Sequence, residues 1–372
     1  MSAQRRVCWR LRMHGSRSRS FGLALALVLA GLAGCRPELG GRGPARADAG
    51  ADAGSDPGSG TLTAVLNRQY LPLVDQLLDG ATRSISLVHL MLNDDSEGDA
   101  LVARLQAAAG RGVAVSVLLE DSVESNPARV ASLVAAGVRA RLDSPARYTH
   151  AKLVVIDAER ALLGSTNGSW SSLQRNNEAN LLAADPRIAG WFERYAQAVF
   201  AAPEQAPGLS PLETPLGRTL HDGDYLGRAQ PLIDGAQHRI DVVTYAMNAD
   251  PRYPDSDVNQ LVRRLGAARR RGVRVQVLLE LSAPDLGVNA VNQQAAAALR
   301  GEGIDVRYDP LDTITHAKVL RADDEVIVGS NNWGYGGFRT YHEVGVQTRA
   351  PEVVAALGRY LDELWAAGTE VP

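Results

Sequence analysis

Two short segments of this 372-residue chain carry the same polar residues at the same spacing. They read THAKLVVID at 149–157 and THAKVLRAD at 315–323, so each has a histidine, a lysine two positions on and an aspartate five positions after that. An imidazole can attack an electrophile or transfer a proton, and an ammonium group can bind an anion. The residues that could do this chemistry are His150, Lys152, Asp157, His316, Lys318 and Asp323.

The first segment has the pattern of a strand that leads into a hairpin. Alternate residues on a strand point to the same face, so His150 and Lys152 can reach one ligand. An apolar run at 153–156 follows, Asp157 begins the turn, and the return strand leads to Gly-Ser-Thr-Asn at 164–167. A hydroxyl, an amide and an ammonium group are therefore expected beside the imidazole.

The use of lysine in this chain supports a chemical role for both segments. Lysine and arginine together number 39, and the only lysines are Lys152 and Lys318. An ammonium group is a compact donor whose three N–H bonds can rotate, whereas a guanidinium group is a planar fork. The occurrence of lysine at only these two equivalent positions indicates that the compact donor is required there.

These residue types suit a phosphodiester, whose non-bridging oxygens gain charge during substitution at phosphorus. One imidazole would attack phosphorus to form a phosphohistidine, and the other would give a proton to the leaving alkoxide. Water or an alcohol would then release the product, and no metal or other cofactor is needed. The donors expected to bind the phosphate are Lys152, Lys318, Ser165, Asn167, Ser330 and Asn332.

The first segment resembles the phospholipase D superfamily, whose pattern His-x-Lys-x4-Asp-x6-Gly-Ser-x-Asn it matches at every specified position from 150 to 167. The second segment lacks one residue after Asp323, which leaves open whether Asp323 or Asp324 has the structural role of the acid. The resemblance implies His150 as the nucleophile and His316 as the acid. From the residues alone, the near-symmetry of the two segments leaves that assignment open.

A glutamate follows each motif at the place where that family carries an acid that orients the histidine. Glu178 follows the first motif, and Glu343 follows the second at nearly the same distance from its histidine. Such an acid would hold the imidazole in one tautomer through its second nitrogen. A solvent-facing charge on a strand is the alternative interpretation of each glutamate.

The two motifs belong to an internal duplication. LLDGATRSISLVHLMLN at 77–93 corresponds to LIDGAQHRIDVVTYAMN at 232–248, and RLQAAAGRGVAVSVLLE corresponds further on to RLGAARRRGVRVQVLLE. The offset between the copies grows from the first of these pairs to the second and is largest at the histidines, which indicates loop insertions. We interpret residues 61–203 and 214–369 as two repeats joined by a Pro-rich junction.

Within each repeat, helix-length segments alternate with short apolar runs. In the first repeat, helices are predicted near 70–80, 98–111, 127–136 and 186–199, strands near 83–91, 113–119 and 138–142, and a pair of strands at 150–164. The alternation predicts the α/β class, with a mixed sheet flanked by helices. Together with the resemblance, it implies two similar phospholipase D-like domains, related by a pseudo-twofold axis, that share one active site at their interface in a monomer.

The segment at 1–60 differs in composition from the rest of the chain. Six arginines precede an apolar run that ends in Leu-Ala-Gly-Cys at 32–35, so that residues 1–34 have the layout of a signal peptide and resemble a bacterial lipobox. We expect Cys35 to carry a lipid anchor, with a plain secretory signal as the alternative, and residues 36–60 to form a flexible linker. The expected location is the cell envelope, on the periplasmic side of the outer membrane, or outside the cell.

Net charge separates the candidate functions. Without the six arginines of the signal peptide, 33 of the 39 basic residues remain, against 42 acidic residues. The resulting net negative charge disfavours a general affinity for nucleic acid. The leading hypothesis is a phosphoric diester hydrolase of the phospholipase D type that acts on phospholipids at a membrane. The alternatives are an endonuclease, phosphatidyl transfer of the cardiolipin-synthase kind, and an inactive binding lipoprotein. An arginine run at 263–271 is interpreted as a solvated helix face, with a patch for anionic lipid or nucleic acid as the alternative.

Overall fold

In the computed structural model, residues 60–281 and 285–371 are described, and they are built on two β-sheets. The predicted signal peptide, Cys35 and the predicted linker to residue 59 lie outside these residues. The alternation of helices with apolar runs is present in both halves of the described chain. The α/β class is therefore confirmed, with two sheets flanked by helices.

The first half of the chain forms a mixed sheet. Its strands are β1 (Thr61–Leu66), β2 (Ser84–His89), β3 (Ala114–Leu119), β4 (Arg139–Leu142), β5 (Lys152–Ile156), β6 (Arg160–Gly164) and β7 (Ala179–Ala184). Their order in the sheet is β1-β7-β6-β5-β2-β3-β4. β2, β3 and β4 are parallel, whereas β5 is antiparallel to both of its neighbours. Every residue of β5 is buried, as expected for a central strand covered on both faces.

The helices of the first half connect these strands. They are α1 (Tyr70–Asp79), α2 (Ser96–Gly110), α3 (Asn126–Ala135), α4 (Trp170–Gln174) and α5 (Pro186–Ala201). α2 begins where the side chain of Asp95 accepts a hydrogen bond from the N–H of Gly98, and α5 begins where Asp185 caps its first turn. The predicted helices and strands of this half are present, while β1, β7 and α4 were not predicted.

The second half repeats this arrangement with two added strands. Its strands are β8 (Glu213–Thr214), β9 (Gly217–His221), β10 (Arg239–Thr244), β11 (Arg274–Leu279), β12 (Asp305–Tyr308), β13 (Val319–Ala322), β14 (Glu325–Gly329), β15 (Val344–Thr348) and β16 (Thr369–Glu370). Its helices are α6 (Asp224–Gly235), α7 (Asp257–Arg270), α8 (Leu286–Gly301) and α9 (Pro351–Ala367). The sheet order β16-β12-β11-β10-β13-β14-β15-β9-β8 equals the first sheet with β8 and β16 added at its edges.

Buried apolar side chains form three cores. The central core lies between the halves and joins residues of both sheets, such as Leu163 of β6 and Val328 of β14, with the apolar faces of α5 and α9. Each outer core packs one sheet against the helices of its own half. The shared central core fixes one half against the other, because neither sheet could leave this interface without exposing it to water.

No helix in the described part of the chain is long and apolar enough to span a membrane.

Candidate active site

The two motifs lie at equivalent edges of the two sheets. Lys152 is the first residue of β5 and is the register partner of His89, the last residue of β2. The start of β5 therefore lies at the carboxyl ends of the parallel strands, and the loops after β2, β3 and β6 leave from this same edge. In the second half, β13 begins with Val319, which lies opposite Val243 near the end of β10. We call these two edges together the catalytic edge.

Each histidine is hydrogen-bonded to a glutamate from the other half of the chain. His150 Nδ1 lies 3.0 and 3.1 Å from the two carboxylate oxygens of Glu343, and His316 Nδ1 lies 3.1 Å from Oε2 of Glu178. All four side chains are buried. The sequence predicted that both glutamates orient histidines but related each to the motif it follows, and the structure instead pairs them crosswise. The alternative of a solvent-facing charge is wrong for both.

Backbone pairing between the halves explains the crossed contacts. The N–H of His150 donates to the carbonyl of His342 at 3.0 Å, which brings the next residue, Glu343, beside the imidazole. Likewise, the N–H of His316 donates to the carbonyl of Asn177 at 2.8 Å, next to Glu178 in the chain. The crossing is thus a consequence of how the two halves pair.

The two motif serines also bind these glutamates. The Ser165 hydroxyl donates to Oε2 of Glu178 at 2.5 Å, and the Ser330 hydroxyl donates to Oε2 of Glu343. Because a hydroxyl has a single proton to donate, neither serine can donate to a phosphate while this bond is present. In the structure Ser165 and Ser330 thus hold the carboxylates that orient the histidines, and their predicted contact with phosphate stays a prediction.

Both lysines are buried beside the histidines. Lys152 Nζ donates to the carbonyl of His150 at 2.5 Å, and Lys318 Nζ donates to the carbonyl of His316. Burial lowers the pKa of Lys152 to about 7, although the carboxylates of Glu343 and Glu178 oppose this. Burial likewise lowers the pKa of Lys318 well below its usual value. The negative charge of an anion bound in the site would offset the cost of burial and favour the charged form of both lysines.

The electrostatics of the histidines are linked across the site. Burial and the adjacent Lys318 lower the pKa of His316 to about 4, and Lys152 of the other half contributes. Burial also lowers the pKa of His150, with Glu343 opposing and both lysines contributing. These couplings mean that the two motifs face one common site. The lowered pKa values favour the neutral form of both imidazoles, and a neutral imidazole that donates Nδ1–H to its glutamate keeps Nε2 as the reactive nitrogen.

Glu178 is kept ionised although it is fully buried. Burial alone would raise its pKa, but His316, Lys318 and the Ser165 hydroxyl outweigh this and hold the pKa at about 2. A carboxylate that stays ionised can stabilise the imidazolium that forms when a histidine takes up a proton.

The two motif aspartates lie apart from the other predicted site residues. Asp157 follows the far end of β5, where its carboxylate accepts from the N–H groups of Thr82, Arg83 and Ser84. Asp323 accepts in the same way from the N–H groups of residues 237–239. These aspartates fix the backbone at the edge opposite the histidines, so they have the structural role expected of the motif acid and not a catalytic one.

The shortened turn of the second motif leaves this arrangement intact. β5 and β6 are joined by three residues, 157–159, whereas β13 and β14 are joined by two, 323–324. Asp157 and Asp323 both have positive φ and both bind the preceding loop. Asp324 is exposed and lies 3.6 Å from Arg349. Asp323 is thus the structural counterpart of Asp157.

Unlike the motif serines, the two motif asparagines have side-chain oxygens without a hydrogen bond to the described residues. The carboxamide oxygens of Asn167 and Asn332 are buried and have no hydrogen-bond partner among the described residues. Asn167 also lines a small, mostly apolar cavity together with His89 and Leu92. The predicted contact of both amides with phosphate stays a prediction.

Sequence reasoning missed the residues that hold the two glutamates from behind. Asn67 Oδ1 accepts the N–H of Glu178 at 2.8 Å, and Asp222 Oδ1 accepts the N–H of Glu343 at 3.1 Å. Both residues have positive φ and directly follow the strands β1 and β9. The internal duplication could have identified them. When the two copies are aligned on the Tyr-Leu pair that follows each residue, Asn67 and Asp222 fall at equivalent positions.

Sequence reasoning also missed two pairs of buried acids, Glu120 with Asp143 and Glu280 with Asp309, which accept the N–H groups of Thr149 and Thr315. Within the described ranges, one acid group, Glu120 with Asp121 and Asp143, is close enough to hold a metal ion. Both oxygens of Glu120 and of Asp143 already accept hydrogen bonds from the protein.

The arrangement is suited to substitution at an anionic phosphorus centre. Two neutral imidazoles offer Nε2, two ammonium groups can neutralise an anion, and ionised carboxylates stabilise either imidazole when it becomes protonated. The geometry is reciprocal, so one histidine can act as the nucleophile while the other serves as the acid and then as the base.

Much of this chain is similar in sequence to known proteins. A family model described as "Cardiolipin synthase, PLD-like domain" matches residues 74–200 and 230–365. Cardiolipin synthase B of Escherichia coli K12 is 29% identical over 297 residues, which cover 71% of this chain and 70% of that protein. A mitochondrial cardiolipin hydrolase of Chlamydomonas reinhardtii is 26% identical over 118 residues, which cover 32% of this chain and 51% of that protein.

A solved structure has the same fold. Phosphatidylserine synthase of Haemophilus influenzae Rd KW20 superposes with a TM-score of 0.64 at 12% identity, and the match covers 83% of this chain and 87% of that one.

Proposed function

This chain belongs to the phospholipase D superfamily, in the family of cardiolipin-synthase PLD-like domains, and from that membership we propose that it transfers a phosphatidyl group from one phospholipid to a hydroxyl acceptor. The observation that carries the proposal is the pair of buried histidines, each oriented through Nδ1 by a glutamate and each beside a lysine. The residues alone favour hydrolysis, but the similarity over 71% of the chain to a cardiolipin synthase favours transfer.

The proposed reaction has two steps. Nε2 of His150 attacks phosphorus, the bond from phosphorus to the head-group oxygen breaks, and that oxygen takes a proton from His316. The acceptor hydroxyl then gives its proton back to His316 while its oxygen attacks phosphorus and breaks the P–N bond. Lys152 and Lys318 neutralise the phosphoryl oxygens throughout. A bound phosphodiester anion raises the pKa of His316, which allows it to start as the acid.

Hydrolysis is the second candidate function. The same intermediate is resolved by water in place of an alcohol, and the likeness of 118 residues to a cardiolipin hydrolase favours this reaction. The two functions differ in which acceptor reaches the phosphohistidine.

Exposed apolar side chains support a lipid substrate. Of the six large apolar side chains that are exposed in the described part of the chain, five lie in segments that leave or enter the catalytic edge. We call these five the apolar rim: Trp170, Tyr253, Leu286, Leu311 and Tyr335. Trp170 and Tyr335 occupy equivalent positions, each in the third position after the motif asparagine. Tryptophan and tyrosine favour the boundary between water and lipid, so the rim would rest on a bilayer whose head groups enter the site.

Charges near the catalytic edge favour a lipid over a nucleic acid. Several arginines of this edge are neutralised by carboxylates, as in the ion pairs Arg147–Asp222, Arg129–Asp99, Arg252–Asp250 and Arg339–Asp257. The arginine run at 263–271 lies toward the opposite end of α7, where Arg264 pairs with Asp234 and Arg270 pairs with Glu302. Paired arginines provide little of the positive field that a polyanion requires.

Product analysis tests the proposed function. The full chain, purified in a non-ionic detergent, would be incubated with phosphatidylglycerol in mixed micelles and, separately, with single-stranded DNA. We expect cardiolipin and free glycerol, and we expect His150→Ala and His316→Ala each to lower the rate of their formation by about 1,000-fold or more, to a residual rate that can still be measured. Phosphatidic acid without cardiolipin would establish hydrolysis instead, and cleavage of DNA with no lipid product would show the lipid proposal to be wrong.

Trapping the intermediate tests the roles of the histidines. With the acid removed, His316→Ala should react with an activated diester that needs no protonation of its leaving group, and phosphate should accumulate on His150. Phosphate found on His316 in the His150→Ala variant, and none on His150, would reverse the assignment.

We also propose that Cys35 attaches the chain to the outer membrane by a lipid, with residues 36–60 as the linker and with 61–203 and 214–369 as the two domains. The lipobox-like sequence at 32–35 supports the anchor. Cys35→Ser should abolish incorporation of labelled fatty acid. Incorporation that persists would rule out this site.

A further inference from the structure

Two pairs of buried carboxyl groups stand behind the histidines and have no part in the proposed chemistry. Glu120 and Asp143 directly follow the parallel strands β3 and β4, whose last residues are register partners. Glu280 and Asp309 follow β11 and β12 in the same way. All four side chains are buried. Adjacent parallel strands in register thus place two carboxyl groups side by side at the catalytic edge of each sheet.

Each pair converges on a single backbone N–H. The N–H of Thr149 donates to Glu120 Oε2 at 2.7 Å and to Asp143 Oδ2 at 3.1 Å. The N–H of Thr315 donates to Glu280 Oε2 at 2.5 Å and to Asp309 Oδ2 at 2.8 Å. Thr149 and Thr315 directly precede the two histidines. The duplicated chain therefore repeats this contact in detail, next to the residue that each half contributes to the reaction.

A pair of this kind cannot carry two negative charges at low cost. Ligand oxygens of Glu120 and Asp143 lie within 4.8 Å of each other, and one shared N–H cannot offset two buried charges. The groups that face this pair are Asp121 and Tyr148, and neither brings a positive charge. Burial raises the pKa of Glu120, and the neighbouring Asp143 carboxylate raises it further. At neutral pH the pair therefore keeps one proton.

The second pair has a different neighbour. Lys318 and Tyr245 face Glu280 and Asp309, and the charge of Lys318 partly opposes the raised pKa of Glu280. Burial is the main cause of that raised pKa, followed by Asp309. The second pair thus shares its proton as well.

We propose that each pair of carboxyl groups shares one proton and acts as a positioning unit, which fixes the backbone immediately before its histidine with a single negative charge. On the other side, His150 is fixed by the carbonyl of His342, so the backbone of the nucleophile is held from both directions. The aspartates also engage neighbouring donors, since Asp143 Oδ1 accepts the N–H of Asp121 and Asp309 Oδ1 accepts that of Leu281. The role in catalysis rests on the proposed function, whereas the shared proton does not.

Unfolding measurements test the shared proton without any substrate. The folded pKa of Glu120 lies above its unfolded value, so the folded state is favoured at low pH, and this contribution is lost as pH rises toward the folded pKa. Glu120→Gln cannot ionise and should escape that loss. Relative to wild type, its unfolding equilibrium constant should fall by about tenfold or more between about pH 5 and about pH 8.

The matched control is Glu124→Gln, an exposed acid in the same loop that does not face the pair, whose difference from wild type should be the same at both pH values. Urea unfolding of the full chain in detergent, followed by tryptophan fluorescence, measures both variants. The absence of a pH trend in the Glu120→Gln difference would show that the pair shares no proton.

Kinetics test the positioning role. A single amide leaves one charge in the pair, so Glu120→Gln or Asp143→Asn should lower kcat by less than about threefold. The double variant Glu120→Gln/Asp143→Asn removes the charge and leaves only neutral amide oxygens to accept the N–H of Thr149. It should lower kcat by about tenfold or more, with KM little changed.

Single variants that each lose as much activity as the double variant would overturn the positioning unit. An equal rise in KM with unchanged kcat would also overturn it. A chain that shows no activity on any diester would contradict the proposed function but leave the unfolding test of the shared proton valid.

Discussion

At the scale of residues, each histidine is completed by a glutamate from the other half of the chain. His150 and Glu343 are 193 positions apart, and the serine beside each glutamate fixes the carboxylate in turn. The chemistry of one motif therefore depends on the folding of the other. This dependence can be measured, because a positioning carboxylate should have no effect once its histidine has been removed.

We expect Glu343→Gln to lower kcat by about 10- to 100-fold, because a neutral amide stabilises the imidazolium of His150 poorly. In a His150→Ala background the same change should add little to the loss. Initial rates of the four variants of this cycle measure the coupling. A large further loss in that background would mean that Glu343 acts through a different group.

The buried lysines should lower the free energy of unfolding, because burial disfavours their charged form. Because burial lowers the pKa of Lys152 to about 7, its charged form is disfavoured in the folded state, and this penalty is greatest below that pH. Lys152→Met should therefore raise the free energy of unfolding at about pH 6, with a gain that shrinks as pH rises from about 7 toward the unfolded value. Denaturation at several pH values checks this trend, and activity should be lost at all of them. A gain that grows with pH would contradict it.

At the scale of elements, one strand in each sheet carries the proposed catalytic residues at one end and a structural aspartate at the other. One end of β5 carries His150 and Lys152, and the other end carries Asp157, which holds the loop before β2. β13 is arranged in the same way with Asp323. The spacing common to both motifs thus reflects the length of one strand, with function at one end and stability at the other.

Asp323→Asn should lower the free energy of unfolding by about 1–3 kcal/mol, since three backbone N–H groups lose a charged acceptor. The kcat of the folded enzyme should be unchanged. Asp324→Asn is the matched control, because this neighbouring acid is exposed and binds only at the surface, and it should leave both quantities unchanged. Thermal unfolding with parallel kinetics measures the two variants, and a fall in kcat without a fall in stability would contradict this assignment.

Much of this arrangement could be predicted from the sequence. The helices and strands near the motifs could be predicted because apolar periodicity is a local property, and the two lysines could be identified because the duplication aligns them. The crossed pairing of His150 with Glu343 could not, since it depends on the pairing of loops from different halves. The pairing of Glu120 with Asp143 could not be predicted either, because the two acids are far apart in the sequence and meet only where two parallel strands end in register.

At the scale of the whole molecule, the apolar rim gives the protein an orientation. Five exposed apolar side chains surround the catalytic edge, whereas the sixth, Val134, lies near the end of α3 that points away from it. A bilayer that binds the rim would face both motifs at once. The single site between the halves can then receive a lipid head group without the lipid leaving the membrane.

Trp170→Ala/Tyr335→Ala should lower activity on phospholipid vesicles by about tenfold or more, because it removes two interfacial aromatic side chains. Activity on a small water-soluble phosphodiester should be unchanged, because neither side chain contacts the histidines. Val134→Ala, on the opposite edge, is the control and should affect neither activity. Equal losses on vesicles and on the soluble diester would mean that the two side chains act on the site rather than on the membrane.

The crossed pairing also has a consequence during synthesis of the protein, because the site cannot be complete until both halves of the chain exist. Glu343 is synthesised long after His150, so a growing chain that has not yet reached it contains the histidine without the carboxylate that orients it. On the proposed function, an enzyme that cleaves phospholipids would endanger the membranes of the cell that makes it. The contact that orients His150 forms only once the second half has been made and folded, so the proposed activity begins no earlier than that.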